Sequence, residues 1–410
     1  MDEKIGNINM TQNMISFYLM KNEIKNYEWG SVTSIQELFE IDNCEAKPQA
    51  EIWMGSHENG SSFIITNNKE QSLREFIKTN PKEILGERTS KSFNKQLPYL
   101  FKVLAAQKAL SIQVHPSKES AEQGYHKEEL KGIKLDDYYR NYKDPNHKPE
   151  LVYALTDFEA LNGFISYLDV FNNFQALQFE EFEQYLSDFS KKLNENGLKV
   201  FISNLLNLED SLKRSVCEKL VVLAKSPSKS NDQKYKLIRL FSESFSDDIG
   251  LFAPLFLNIV KLKPGEAMFL EAGRPHAYLY GTALEIMANS DNVLRAGLTP
   301  KNIDVGELVD NTTFVPTLLD NLRVKPNQNA CEEKFEVPVN DFKFSIFTKP
   351  KSKLISTNSA EIIFAVDKAC TLIDEKGCSI SFDKGESVFI PAFVKQYNIV
   401  SDGIVARAFN

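Results

Sequence analysis

The chain has 410 residues, of which 42% are hydrophobic and 25% charged, an ordinary composition for a globular protein with more than one domain. Its formal net charge of -8 argues against nucleic acid and anionic membrane surfaces as main partners. A local group of cations can still bind a small anionic substrate.

Three features of the chain predict a cytoplasmic protein. Five scattered cysteines without a CxxC pair indicate free thiols in a reducing compartment. Residues 1–12, MDEKIGNINMTQ, lack the apolar region of a secretory signal. The longest apolar run, 249–260, contains Pro254 and Asn258 and is too short to span a bilayer.

The first part of the chain, from about Phe17 to Ile165, predicts a β-rich domain. Short strand-like runs alternate with turn residues: AEIWMGSH, SSFIIT, LPYLFKVLAA and ALSIQVHP. Between the second and third of these runs lies SLREFIKTNPKEILG, which we interpret as a surface helical segment.

The run ALSIQVHP at 109–116 predicts a strand with one polar face. Because side chains alternate along a strand, Ser111, Gln113 and His115 point to one side and the apolar residues to the other. Taken alone, this pattern favours an ordinary solvated face over the wall of a site.

A second candidate segment is NHKPELVYAL at 146–155. Pro149 disfavours helix at Lys148, and the apolar run that follows is predicted to be buried. Glu150 leads into that buried run and therefore needs a cation, a helix N-terminus or a metal as its partner. His147, Lys148 and Glu150 form either a site or a routine surface ion pair, and the segment alone does not decide.

Residues 167–248 follow a different pattern and predict an inserted helical domain. Leu212, Val216, Leu220 and Leu223 recur at helical spacing, and FNNFQALQFEEFEQYLSDF and QKYKLIRLFSESF are amphipathic. We interpret the charged residues of this block as a solvated face.

From Phe256 onward the strand pattern returns and contains an internal repeat. LKPGEAMFLEAGRPHAY at 262–278 aligns with FDKGESVFIPAFVKQYN at 382–398, and the glycine spacing resembles parts of the second cupin motif. Cupins are small jelly rolls built from two sheets. Gln396 stands where the first copy has His276, so the repeat predicts one metal-competent roll and one that has lost its ligand.

The third candidate segment is 273–301. His276 and Tyr278 share one predicted strand face, and a tight turn near Gly281 would return the chain so that Glu285 lies near His276. Two cations follow in this otherwise acidic protein, Arg295 and Lys301. Taken singly, the histidine is also explained as an ordinary core residue and the cations as surface charge.

Together the three segments predict a metal site. The imidazoles of His115 and His276, the carboxylate of Glu150 and the amide oxygen of Gln113 form a mixed nitrogen and oxygen set that suits zinc and leaves room for a substrate. Glutamine is an atypical zinc ligand, so spacing alone would not select it. The chain lacks the phosphate-loop, dinucleotide-binding, HExxH and GxSxG motifs of other enzyme classes.

At these residues the chain resembles the type I phosphomannose isomerases. The resemblance rests on five blocks in the family's order: NYEWGS, AEIWMGSH, LPYLFKVLAAQKALSIQVHP, NHKPELVYALTDFEALNGF and PHAYLYGTALEIMANSDNVLRAGLTPK. They are spread along the chain from about residue 27 to residue 305. No ligand position departs from the family's pattern, although Glu271 replaces a proline of the general cupin motif.

The resemblance implies a set of site residues. One zinc ion per chain would be held by Gln113, His115, Glu150 and His276. Arg295 would be important for catalysis, and the sugar phosphate would lie near Ser111, Arg295 and Lys301. The candidates for proton handling are Glu285, which we prefer, and His147 and Lys148. The residues expected to line the sugar pocket are Glu51, Trp53, Tyr278 and Asp291.

The resemblance also implies a fold and a reaction. The fold is mainly β with an α-helical subdomain: a catalytic cupin jelly roll at 15–165 and 251–330, a helical insertion at 166–250 and a degenerate C-terminal roll at 331–410. The reaction interconverts mannose 6-phosphate and fructose 6-phosphate by zinc-assisted proton transfer between C1 and C2 through an enediol(ate). The alternatives are a non-catalytic sugar-phosphate-binding cupin and another metal-dependent cupin enzyme. We expect a monomer whose partner is the small sugar phosphate, without nucleic acid or membrane partners.

Overall fold

The computed structural model of the chain describes residues 15–66 and 69–410. The prediction that residues 1–12 carry no secretory signal falls outside the described residues. Within the described ranges, no helix is both long enough and apolar enough to cross a lipid bilayer.

The N-terminal part of the chain is rich in strands and carries short helices. Its strands are β1 (Tyr18–Lys21), β2 (Glu23–Lys25), β3 (Glu51–Met54), β4 (Ser56–His57), β5 (Gly60–Ser61), β6 (Phe63–Thr66), β7 (Lys69–Ser72), β8 (Tyr99–Ala106), β9 (Ile112–Val114), β10 (Glu150–Ala154) and β11 (Phe158–Phe164). Its helices are α1 (Ser34–Phe39), α2 (Leu73–Thr79), α3 (Pro81–Leu85), α4 (Glu87–Ser92) and α5 (Lys118–Leu130). The predicted helical segment is confirmed as α2 and α3, which Pro81 separates by starting the second helix.

A helical block then interrupts the strands, as the hydrophobic spacing predicts. It consists of α6 (Tyr167–Gln175), α7 (Glu183–Ser190), α8 (Glu195–Leu206), α9 (Asp210–Ala224) and α10 (Gln233–Ser242). Val216 and Leu220, which carry the predicted periodicity, lie in its core with Phe174. The same core includes Leu161 and Ala277 from the strands, so the block packs directly on the β-rich part.

Strands resume after the helical block and continue to the C-terminus. The first group is β12 (Leu257–Leu262), β13 (Ala267–Leu270), β14 (His276–Ala288), β15 (Leu294–Gly297) and β16 (Arg323–Val324), with helix α11 (Val305–Asp310) before β16. The second group is β17 (Asn327–Asn329), β18 (Glu332–Phe335), β19 (Lys343–Thr348), β20 (Lys351–Ser356), β21 (Glu361–Ala365), β22 (Cys370–Asp374), β23 (Ser379–Phe382), β24 (Ser387–Ile390), β25 (Gln396–Ser401) and β26 (Ile404–Phe409).

Two large sheets share one hydrophobic layer. The first has the order β16-β13-β10-β14-β8-β3-β2, with β11 and β9 also paired to β14, β12 paired to β11 and β15 paired to β9. The second has the order β17-β18-β19-β26-β21-β24-β1-β6-β7. Phe101 of the first sheet contacts Phe344 and Phe364 of the second, with ring centroids 5.9 and 6.3 Å apart. A four-stranded sheet, β20-β25-β22-β23, completes the C-terminal roll.

The N-terminal segment contributes strands to both rolls. Tyr18 in β1 pairs with Phe389 in β24, and β6 and β7 continue the same sheet. The domain division predicted from the sequence assigns these strands to the catalytic roll alone. Backbone pairing between segments so far apart in the chain leaves no local pattern from which it could be predicted.

Along the central strand β8, alternate side chains face the hydrophobic layer between the two sheets and the interior of the first roll. All eight of its residues are buried. Tyr99 and Phe101 belong to the hydrophobic layer between the two sheets. Leu100, Lys102 and Leu104 face the interior of the first roll instead. A charged residue on this inner face is therefore buried and needs a charged partner inside the roll.

Candidate active site

A cavity of about 240 Å³ lies inside the first roll. Ten of the fourteen predicted site residues line it. Strand β3 supplies Glu51 and Trp53, and the start of β9 supplies Ser111 and Gln113. The start of β10 supplies Lys148 and Glu150, and β14 with the turn after it supplies His276, Tyr278, Glu285 and Asp291.

Three of the predicted ligands converge at one end of this cavity. The ligand atoms of His115, Glu150 and His276 all lie within 4.8 Å of one another, and all three residues are buried. Gln113, the fourth predicted ligand, lies directly opposite His276 in the pairing of β9 with β14. Nε2 of His115 is buried 3.3 Å from a Glu150 oxygen and forms no hydrogen bond with any described residue. An unpaired buried nitrogen facing a carboxylate is a suitable position for a cation.

Hydrogen bonds from the opposite ring nitrogens orient both imidazoles. His115 Nδ1 lies 2.7 Å from the carbonyl oxygen of Asn292, and His276 Nδ1 lies 3.0 Å from that of Arg274. Because a carbonyl only accepts, each Nδ1 carries the hydrogen and each Nε2 keeps its lone pair. Burial, with His115 adding to it, lowers the pKa of His276 to about 4. Burial and the nearby Lys148 lower the pKa of His115 as well. Both rings are therefore neutral and able to bind a metal at neutral pH.

The carboxylate of Glu150 supplies the negative charge of this cluster. Burial alone would raise its pKa, but Lys148, 3.1 Å away, holds the pKa well below its usual range. Two neutral imidazoles, an ionised carboxylate and a neighbouring amide are a donor set that fits zinc.

Glu285 belongs to a second polar group in the same cavity. The hydroxyl of Tyr278 lies 2.9 Å from a Glu285 oxygen and 2.9 Å from a Glu150 oxygen. Lys102 Nζ lies 2.8 Å from Glu285 and 3.5 Å from Glu51. The Tyr278 hydroxyl can donate its single hydrogen to only one of these two carboxyl groups. The other contact becomes a hydrogen bond when that carboxyl group is itself protonated and donates to the Tyr278 oxygen. Burial raises the pKa of Glu285, and Lys102 offsets this only in part.

Glu285 reaches this position by a different route from the one predicted. Strand β14 runs unbroken from His276 to Ala288, so the predicted tight turn near Gly281 is wrong. The strand pairs with β11 as far as Tyr280 and with β8 from Gly281 onward. Gly281 has φ +108°, and a Cβ there would lie 2.4 Å from the carbonyl oxygen of Asp157. The strand therefore bends at a glycine corner and places both of its halves along the inside of the roll.

Lys102 is a site residue that the sequence analysis missed. Burial would lower its pKa, but Glu285 and Glu51 outweigh that effect and raise the pKa above its ordinary value. The ammonium group also lies 5.4 Å from the ring centroid of Trp53. A signal existed in LPYLFKVLAA, where a single lysine interrupts a run predicted to be buried, because such a lysine needs an acidic partner.

Arg295 and Lys301 form a positive patch beside the metal cluster, outside the residues that line the cavity. Arg295 pairs with Gln113 in the register of β15 and β9. Burial alone lowers the pKa of Arg295, since no described carboxylate stands close enough to offset it. Arg295, with burial and Lys143, lowers the pKa of Lys301. A cation close enough to lower the pKa of its cationic neighbour in this way favours an anion beside both.

His147 is not brought into the cavity. Its Nε2 lies 3.0 Å from Asp341 Oδ2, so the side chain joins the start of β10 to the segment before β19. The two sugar-pocket candidates from β3 bond to each other, with Trp53 Nε1 2.6 Å from Glu51 Oε2. Asp291 contacts His57 Nε2 at 3.3 Å at the edge of the cavity.

Two family profiles match the chain. The one described as the catalytic domain of type I phosphomannose isomerase matches residues 17–167. The one described as the helical insertion domain of the same family matches residues 175–257.

Full-length relatives share much of the sequence. Mannose-6-phosphate isomerase of Salmonella typhimurium is 44% identical over 391 residues, covering 95% of this chain and 98% of that protein. The Escherichia coli enzyme of the same name is 43% identical over 392 residues, with the same coverage. The Mus musculus enzyme is 35% identical over 401 residues, covering 90% and 92%.

Solved structures share the fold over the same extent. A point mutant of phosphomannose isomerase from Salmonella typhimurium superposes with a TM-score of 0.91 at 42% identity, covering 97% of this chain and 100% of that one. A zinc-bound holo mannose 6-phosphate isomerase superposes with a TM-score of 0.90 at 43% identity and the same coverage.

Proposed function

This chain belongs to the type I phosphomannose isomerase family, and we propose a role for each of its site residues in the family's reaction. It is a zinc-dependent aldose–ketose isomerase that interconverts mannose 6-phosphate and fructose 6-phosphate. The predicted cupin-type fold with a helical insertion is confirmed. The alternatives of a non-catalytic binding cupin and a different metal-dependent cupin enzyme are not favoured by any of these relatives.

The proposed zinc ligands are Gln113, His115, Glu150 and His276. The observation that carries this assignment is the buried cluster within 4.8 Å, in which His115 Nε2 has no hydrogen-bond partner among the described residues. When bound, zinc supplies Lewis-acid stabilisation for the negative charge that develops on the sugar oxygens.

The phosphate group of the substrate is assigned to Ser111, Arg295 and Lys301. Neither cation forms an ion pair with a described carboxylate, which supports this assignment. The planar guanidinium of Arg295 suits two oxygens of one phosphate, and Lys301 adds a point charge. Binding of the phosphate by these three residues holds the sugar carbons in the cavity that Glu285 lines.

Glu285 is the proposed base for the proton transfer. Its carboxylate takes the proton from C2 of mannose 6-phosphate as the C1–C2 double bond of the enediol(ate) forms. It returns the proton to C1 as the carbonyl forms at C2, and the hydrogen of the C2 hydroxyl passes to the oxygen on C1. Lys102 favours the ionised form of Glu285, and Tyr278 provides a hydrogen-bond partner in either protonation state.

Lys148 and His147, the other two candidates for proton transfer, are less suited to that role than Glu285. Lys148 lines the cavity but is held by Glu150 at 3.1 Å, so we assign it the role of keeping that carboxylate ionised. His147 is held by Asp341 outside the cavity, so we assign it no proton transfer. Glu51, Trp53, Tyr278 and Asp291 remain the proposed lining of the sugar pocket, since all four line the cavity.

A coupled assay on the purified protein tests this function. We expect fructose 6-phosphate to form from mannose 6-phosphate, to stop forming after chelation, and to form again when zinc is restored. A folded, zinc-loaded protein without turnover would contradict the assignment of these residues.

The cellular setting belongs to the same proposal. A cytoplasmic location is supported by the cysteines, because all five are free thiols, as expected in a reducing compartment. The monomeric state stays a prediction, which light scattering on the purified protein tests directly.

A further inference from the structure

Asn292 lies in the turn between β14 and β15, outside the predicted site residues. Its backbone carbonyl accepts the hydrogen bond from His115 Nδ1 at 2.7 Å. This bond sets the ring orientation that leaves His115 Nε2 facing Glu150. The position of one carbonyl group therefore determines where the first imidazole points.

The side chain of Asn292 is fully buried and uses its whole hydrogen-bonding capacity. Its Oδ1 accepts from the backbone N–H groups of Lys143, at 2.7 Å, and Asp144, at 3.3 Å. Its Nδ2 donates to the carbonyl oxygens of Asp144, at 2.7 Å, and Asn146, at 2.8 Å. A carboxamide has two donors and one acceptor oxygen, so each is matched here to a backbone group of one short segment.

The segment that Asn292 holds leads directly into Glu150. Residues 143–146 are followed by a short stretch that contains Lys148 and Pro149, and Glu150 comes next. Ser290 adds a hydrogen bond to Asp144 Oδ1 at 2.8 Å and accepts one from the Asn292 N–H at 3.2 Å. One residue thus contacts the ring of one proposed ligand through its main chain and the segment leading to another through its side chain.

We propose that Asn292 is a positioning residue for the zinc site, which sets the distance between His115 and Glu150. The side chain ties the carbonyl that orients His115 to the 143–146 segment, so the two ligands move together. Ligand groups held in this way lose little freedom when the metal binds. This inference rests on the proposed zinc site.

The test is zinc affinity, measured by competition with a chromophoric chelator on the full-length protein. We expect Asn292→Ala to weaken zinc binding about 10- to 100-fold. We also expect the visible spectrum of the cobalt(II)-substituted variant to change, because the spectrum reports ligand geometry. Asn173→Ala is the matched control. Its carboxamide likewise ties two segments, with 2.8 Å to Leu255 O and 2.9 Å to Lys234 Nζ, but it lies in the helical block.

Ser290→Ala is a milder variant that removes one hydroxyl from the same network. It is expected to weaken zinc binding less than Asn292→Ala does, and it decides the question if the latter does not fold. Wild-type zinc affinity and cobalt spectrum in the folded variants would overturn the positioning role. A wild-type protein that binds no zinc would instead overturn the proposed function.

Discussion

Glu361 occupies in the C-terminal roll the position that Glu150 occupies in the first roll. Glu150 pairs with Leu270 at the end of β13, and Glu361 pairs with Ile390 at the end of β24. In both rolls the glycine of the repeated turn donates its N–H to the carbonyl four residues after the glutamate, at 2.9 and 2.8 Å. The sequence repeat is therefore a structural repeat, and it includes a proposed metal ligand that the alignment did not cover.

The C-terminal roll neutralises its buried carboxylate with an arginine. Arg407 donates two hydrogen bonds to Glu361, whose residue is fully buried. Arg407 stands opposite Ile363 in β21, as Glu285 stands opposite Val152 in β10, so it occupies the position of Glu285. The C-terminal roll therefore has the cation Arg407 where the first roll has its second acidic residue, Glu285.

The contact between Arg407 and Glu361 predicts that replacing Arg407 strongly lowers the stability of the protein. Arg407→Ala should lower the free energy of unfolding by about 3–5 kcal/mol, because it leaves the buried carboxylate of Glu361 without its cation. The measurement is urea unfolding followed by fluorescence and circular dichroism. Combining Arg407→Met with Glu361→Gln should recover much of the loss, since no buried charge then remains. Equal stability of Arg407→Ala and the parent would refute the prediction.

Replacing Glu285 should remove turnover without removing the metal. We expect Glu285→Gln to lower kcat by about 10²- to 10⁴-fold, the range for loss of a general base. The amide keeps the shape and the hydrogen bond from Tyr278 but accepts no proton. Zinc content should stay at the parent level because Glu285 is not among the proposed ligands. A variant with near-parental kcat would assign the base elsewhere, with Lys148 the next to test.

The pH profile should report the environment of Glu285. Burial raises its pKa, and Lys102 opposes that rise. A base works only when ionised, so kcat/KM should fall as the pH drops through a pKa above the usual value of about 4.3 for glutamate. Lys102→Met removes the opposing cation and should move this acid limb to higher pH. An unchanged or lowered acid limb would mean that the limb belongs to another group.

Arg295→Lys should weaken the handling of the phosphate even though the charge is kept. A lysine lacks the planar fork, so one charge-assisted hydrogen bond is lost, worth about 1.5–3 kcal/mol. We expect kcat/KM for mannose 6-phosphate to fall roughly 10- to 100-fold. Lys261→Met is the control, because its side chain is 61% exposed and, among the described residues, forms an ion pair with Glu159 alone. A matching loss in that control would point to general electrostatics.

Removing zinc should destabilise the protein as well as stop the reaction. Without an ion, His115 Nε2 stays buried and forms no hydrogen bond within the described part of the chain. A ligand at 1,000 times its Kd stabilises the folded state by about 4.1 kcal/mol. We therefore expect chelation to lower the unfolding temperature and added zinc to restore it. Glu150→Gln, which lacks the charged ligand, should show little response to zinc; a full response would remove Glu150 from the proposed ligands.

Local patterns in the sequence supplied candidates for the site. The alternation around Ser111 and Gln113 placed two cavity residues on one strand face, although taken alone it favoured a solvated face, and the position of Glu150 before a buried run indicated that this carboxylate needs a partner. These arguments succeed because strand alternation and the cost of burying a charge are short-range properties of the chain. The helical insertion was predictable for the same reason, since its apolar spacing repeats within each helix.

Other parts of the site had no local signature. His147 has the same sequence context as Lys148, but it contacts Asp341, nearly two hundred positions away along the chain. Asn292 resembles any turn asparagine until its bonds to the 143–146 segment are seen. Lys102 was detectable as a buried charge, but its partners Glu285 and Glu51 were not.

By itself the sequence determined the chemistry available to this protein: which residue types exist, which share a strand face, and which cannot be buried alone. The tertiary structure decided which of them meet. The corner at Gly281 brings Glu285 onto the wall that holds Tyr278, and the pairing of β9, β10 and β14 brings His115, Glu150 and His276 within 4.8 Å. The physical reason is that residue preferences act over a few positions, whereas strand register and sheet curvature come from the packing of the whole chain.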